Sequence, residues 1–178
     1  IRDKLLTGGQ SCALPISKIN CGHTVVRSSK AFVKYRDTTI GKIFPLSLKI
    51  WTDPASPLDD TATIAANLYR RDTILTRGVV VKKINNQALS TILDTLCQYN
   101  SSDGHNLTHK YQSLSNRGGF GAAFTSVYGL KENYYIDYIA NDGEEKTAVV
   151  TPYNLRTDTA NRIAITRFAR TSPADRKK

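Results

Sequence analysis

The sequence predicts an α+β fold, an open sheet capped by one helix. Residues 43–51 alternate Leu46, Leu48 and Ile50 against Ser47, Lys49 and Trp51, the period of two expected of a half-buried strand. Leu89, Ile92, Leu93, Leu96 and Cys97 recur at helical spacing and define one apolar face. Residues 133–153 read as a hairpin. Tyr134, Tyr135, Ile136, Tyr138 and Ile139 are strand formers, Asn141, Asp142 and Gly143 supply turn conformations, and residues 146–151 return as the partner strand.

The remaining elements follow in chain order. Gly8, Gly9 and Pro15 interrupt the first residues. The stretch QSCALPI at residues 10–16 resembles a translated adapter scar, so residues 1–16 carry little weight and the native chain is expected to begin near Lys18. Val25 and Val26 suggest a short strand between the turn residues Asn20, Gly22, Ser28 and Ser29. Residues 52–60 hold two prolines and three aspartates and read as a loop. Residues 63–68 and 79–84 read as strands, with turns at Arg77-Gly78 and Asn85-Asn86. Residues 100–106 are a polar loop. Residues 107–129 are ambiguous: Gly118, Gly119 and Gly121 argue for a surface loop, whereas residues 122–128 suit a short helix.

Composition bounds the function. The chain has 178 residues, 40% hydrophobic and 22% charged, which fits a folded domain rather than a disordered one. No apolar run reaches the ~20 residues of a membrane span. The chain starts at Ile1 and contains no Met, which implies a mature, trimmed or truncated product. The net charge is +10, and residues 156–178 carry half of it. The other basic residues are scattered, with pairs at Arg70-Arg71 and Lys82-Lys83 and no aromatic interleaving. A solvated surface explains this better than a nucleic-acid stripe. Cys12, Cys21 and Cys97 are odd in number and form no CxxC. Buried thiols are the simpler reading, and a Cys21–Cys97 bridge is the alternative in an exported protein. Asp103, His105 and His109 lack a convincing further ligand, so no metal and no cofactor is expected. Asp103 and Asn106 fit loop-fixing or capping roles. The run RGGFG at residues 117–121 lacks the Lys-Ser/Thr of a phosphate loop.

Several segments occur together in one order: INCGHT at residues 19–24, residues 28–35, the PLSLKIW strand, residues 74–96, SDGHNLTHK at residues 102–110, and YYIDYI. Over roughly residues 18–150 the chain resembles the N-terminal and PDZ-like region of Bacteroidetes-type tail-specific (C-terminal-processing-like) serine peptidases. The resemblance implies a leading segment over 1–42, a PDZ-like partly open β-sandwich over 43–153, and a basic linker or the start of a further domain over 154–178. It implies Asn20, Gly22, His23, Thr24, Gly78, Asp103 and Asn106 as motif or peptide-binding positions. Gly78 matches the family's first turn glycine. Val79 replaces the usual Asp, and Asn86 replaces the second glycine, although Asn also tolerates left-handed backbone. No GxSxG elbow or Ser/His/Asp order is present. The implied function is peptide binding, substrate recognition or regulation, in the periplasm or at the cell surface. The partners would be substrate tails and a protease core outside this chain. A stand-alone module that binds extended peptides by strand addition is the second reading, and a basic nucleic-acid-binding module is the third.

Overall fold

The computed structural model describes residues 29–35, 41–53, 56–104 and 106–154, with Lys18, Cys21 and Thr157; at residues 32, 33, 35, 52, 53 and 56–60 it describes the backbone alone. Asn20, Gly22, His23, Thr24, the Val25-Val26 strand, His105 and nearly all of the basic tail lie outside the described residues.

The fold is α+β with open antiparallel sheets, as the sequence predicts. In chain order the elements are α1 (Lys30–Tyr35), β1 (Lys42–Ile43), β2 (Leu46–Asp53), β3 (Ser56–Asn67), β4 (Val80–Ile84), β5 (Gln87–Ala88), α2 (Leu89–Tyr99), α3 (Leu107–Ser115), α4 (Gly119–Tyr128), β6 (Tyr134–Ile139), β7 (Glu145–Val150) and β8 (Tyr153–Asn154). The main sheet runs β2-β3-β4-β6-β7, and β5 pairs with β4. A second, two-stranded sheet joins β1 to β8 through Lys42↔Asn154 and Ile43↔Tyr153.

The helices α2, α3 and α4 share one core with the inward face of the main sheet. Leu46, Leu48 and Ile50 are buried, and Trp51 is 41% exposed, so the alternation in the sequence does mark the two faces of β2. The predicted apolar stripe of α2 is buried from Leu89 to Cys97. Cys97 is thus a core thiol, and among the described residues no disulfide joins it to Cys21. The helical layer holds three helices rather than one. An aromatic cluster ties them to the sheet. Phe44 packs on Phe120, Phe124 and Tyr134 with ring centroids 5.8, 5.4 and 4.8 Å away. Tyr134 is fully buried, and burial pushes its phenol pKa up, opposed by the Lys131 N–H that donates to its oxygen at 3.2 Å.

Two loop expectations are corrected. Residues 52, 53 and 56–60 continue the β2–β3 hairpin, through Thr52↔Asp60 and Asp53↔Ser56 with a register shift between them. Proline is tolerated there because β3 pairs with β4 only at Ala62 and Thr63. Pro57 lies beyond that pairing, so its missing N–H removes no bond to β4. The RGGFG stretch is a helix–helix corner instead of a loose surface loop. Asn116 N–H closes α3 onto Gln112 and Ser113 carbonyls, and α4 begins at Gly119. A Cβ at Gly119 would lie 2.5 Å from the Ser113 carbonyl oxygen. Only glycine lets the two helices meet this closely. The Asn85-Asn86 turn keeps its expected form: φ is 52° and 64°, the double left-handed pattern of a tight hairpin.

Two outcomes follow. Phe120→Ala removes the ring that joins α4 to Phe44 and should cost about 3–5 kcal/mol in urea denaturation. Gly119→Ala must displace backbone and should cost about 1–3 kcal/mol, with the loss showing as a lower Tm.

Candidate functional site

A sheet edge is where unpaired backbone donors and acceptors remain, and the two edges here differ. At β2 the edge is partly closed by the chain itself. Ile50 N–H donates to Ser115 Oγ at 3.0 Å, and Gly118 N–H donates to Ser47 Oγ at 3.2 Å. The end of α3 and the α3–α4 corner therefore sit on this edge.

At β7 the edge is open among the described residues. Ala140 N–H donates to the Glu144 carbonyl at 2.9 Å, and the register then runs unbroken from Ile139↔Glu145 to Tyr134↔Val150. Hydrogen bonding alternates along an antiparallel pair. Residues 146, 148 and 150 therefore bond to β6, while Glu145, Thr147 and Val149 turn their N–H and C=O groups outward. The β4 side agrees, because the Tyr135 carbonyl accepts from Asn85 N–H at 2.8 Å. The outer sheet face beside this edge exposes the cross-strand pair Tyr135 and Val149, 50% and 57% accessible.

The C-terminal end of β7 runs into a groove of about 940 Å³. One wall is Val149, Val150, Thr151 and Pro152, and the other is the loop Leu68–Asp72. Tyr69 and Tyr153 meet edge to face at 5.2 Å, and Tyr69 Oη lies 2.9 Å from Thr151 Oγ1. The loop is wired internally. Asn67 Nδ2 donates to Asp72 Oδ2 at 2.9 Å and to the Leu75 carbonyl at 3.1 Å. Asn67 Oδ1 accepts from Tyr69 N–H at 2.9 Å. Asp72 Oδ1 accepts from Ile74 and Leu75 N–H at 2.8 and 3.1 Å. These bonds are the Asx geometry that short polar side chains favour. They fix a loop whose exposed residues at the groove are Arg70 and Arg71.

The sequence-predicted positions that are described do not converge on this groove. Gly78 is at φ +96°, which favours glycine. Its N–H donates to the Ile64 carbonyl at 2.8 Å, and Ile64 N–H donates to the Val79 carbonyl at 2.9 Å. It is the latch between β3 and β4. Asn106 caps α3 by accepting from His109 N–H at 2.9 Å, the capping role expected of it. Asp103 is exposed in the preceding loop, and His109 is exposed on α3. Among the described residues no group of three or more His, Cys, Asp or Glu could hold a metal ion. In the sequence, Arg70-Arg71 is only one of the short pairs among scattered basic residues. The available signal was Asn67 and Asp72 bracketing that pair, two turn-forming residues in a strand-to-strand connection.

A smaller cleft of about 200 Å³ lies between Thr61, Lys83, Ser90 and Glu145. Lys83 Nζ donates to Glu145 Oε1 at 2.9 Å and lies 3.9 Å from Asp137 Oδ2. The bond to Glu145 holds the Lys83 ammonium above the usual lysine range. A lysine acting as general base needs the opposite shift. On the hairpin turn, the Lys146 bond pulls the Asp142 carboxyl below the usual range.

The two shifts set opposite pH limits. The Lys83 contribution is full below the ordinary lysine pKa and is lost as pH rises through the raised value. The Asp142 contribution is full above the ordinary carboxylate pKa and is lost as pH falls through the lowered one. Glu145→Gln should return the Lys83 titration toward its ordinary value, read by NMR at Nζ. Asp72→Ala removes one of the two acceptors of Asn67 Nδ2 and the acceptor of two loop amides, and should cost about 1–3 kcal/mol, with faster amide exchange at Ile74 and Leu75.

Comparison with known proteins finds no matching family model, no matching curated protein and no matching solved structure.

Proposed function

We propose that the chain is a peptide-recognition module that takes an extended segment onto β7. The reading is carried by the outward N–H and C=O groups of Glu145, Thr147 and Val149, on an edge that continues into the Tyr69–Tyr153 groove. An extended peptide satisfies such groups as one more strand, and adjoining pockets select its side chains. In this reading hydrolysis belongs to a separate unit, as in the tail-specific serine peptidases that the sequence resembles. The module's task is substrate recognition or regulation, and the periplasm or cell surface is its proposed location. The β2 edge is the weaker candidate, because Ser115 and the α3–α4 corner already occupy it.

The test is calorimetric titration of the chain with a library of extended peptides, alongside Thr147→Pro. Proline at an outward-facing edge position removes no backbone bond to β6, and the side-chain bond it does remove, from Thr147 Oγ1 to Asp137 Oδ1, is exposed. The variant should therefore keep the fold by circular dichroism and lose at least tenfold in peptide affinity. Peptide binding that Thr147→Pro leaves intact, or no binding across the library, would overturn the proposal.

A further inference from the structure

We propose that the groove at the end of β7 selects acidic peptide segments, whose carboxylate side chains pair with Arg70 and Arg71. This rests on the reading of β7 as the peptide edge. Arg70, Arg71 and Val149 line one cavity, so a strand added along β7 and extended past Val149 passes the two guanidinium groups.

The charge accounting within the groove supports this. Asp72 is the nearest acid in sequence, but both of its oxygens are engaged, one by Asn67 Nδ2 and the other by two backbone amides. Tyr69 Oη is engaged by Thr151 and Pro152. Among the described residues the ion pairs are Lys83 with Asp137 and Glu145, and Lys146 with Asp142. None involves Arg70 or Arg71. Two adjacent cations thus stand on a loop fixed by side-chain-to-backbone bonds, in a groove that Tyr69 and Tyr153 also line. A guanidinium offers a planar fork that fits a carboxylate in two parallel hydrogen bonds. A neutral or basic segment leaves both forks to water, and a basic one adds repulsion.

The test measures fluorescence anisotropy on the full chain with three labelled peptides of equal length. They carry two adjacent Asp or Glu residues, the Asn or Gln counterparts, or Lys at those positions, each with a free and an amidated C-terminus. The acidic peptide should bind about tenfold more tightly than its amide counterpart, as expected for two screened surface pairs. The advantage should shrink as salt rises. The double variant R70E/R71E, exposed and outside the core, should keep its thermal transition and prefer the Lys peptide. Equal binding of acidic and amide peptides, with Thr147→Pro still abolishing both, would overturn charge selection and leave the β7 reading standing. No binding of any peptide would remove both. A preference that follows the terminal carboxylate and ignores the side chains would overturn the proposal. So would displacement of the acidic peptide by a duplex oligonucleotide of arbitrary sequence.

Discussion

Phe44 is the point on which the two layers depend. It lies between β1 and β2, and its ring touches Phe120 and Phe124 of α4 and Tyr134 of β6. One side chain thereby joins the start of the sheet, the last helix and a central strand. Aromatic pairs of this kind add directional contact to a large area of burial. With α4 held there, the α3–α4 corner lies at β2, where Ser47 and Ser115 bond to backbone amides. The same packing that completes the core therefore closes one edge of the sheet. It leaves β7, at the far end of the strand order, as the edge with outward backbone groups.

The connection from β3 to β4 shows a comparable economy of polar groups. Asn67 and Asp72 spend their side chains on each other and on the loop backbone, so residues 67–75 hold their shape with only Leu75 fully buried among them. Carboxylates elsewhere are similarly engaged. Asp137 and Glu145 face Lys83 across β6, β7 and β4, and Asp142 meets Lys146 beside the hairpin turn. Such exposed pairs contribute little stability individually. Their larger effect is on which charges remain available, and at the groove these are Arg70 and Arg71.

The ends of the described body also meet. β1 and β8 pair Lys42 with Asn154 and Ile43 with Tyr153. Tyr153 in turn packs on Tyr69, so this small sheet forms part of the groove. The groove is thus assembled from two distant stretches of chain: the β3–β4 connection, and the run from the end of β7 through β8.

The sequence by itself determined the elements whose information is local. The period-two pattern of Leu46, Leu48 and Ile50 marked the buried face of β2. The stripe from Leu89 to Cys97 marked α2, and the Tyr-rich strand with its Asn-Asp-Gly turn marked the β6–β7 hairpin. Gly78 and Asn85-Asn86 announced their turns because few other residues adopt left-handed backbone at low cost. Tertiary structure decided the rest. Residues 52–60 read as a loop from their prolines and aspartates, yet residues 52, 53 and 56–60 extend a hairpin because pairing with β2 outweighs local preference where, among the described residues, no strand lies on the other side. Residues 107–129 were undecided because three glycines weaken the helical signal. Gly118 in fact makes the corner, and Gly119 lets α4 pack against the end of α3. The groove was not legible, because its walls are separated by some eighty residues and neither periodicity nor spacing reports which loop a strand end will meet.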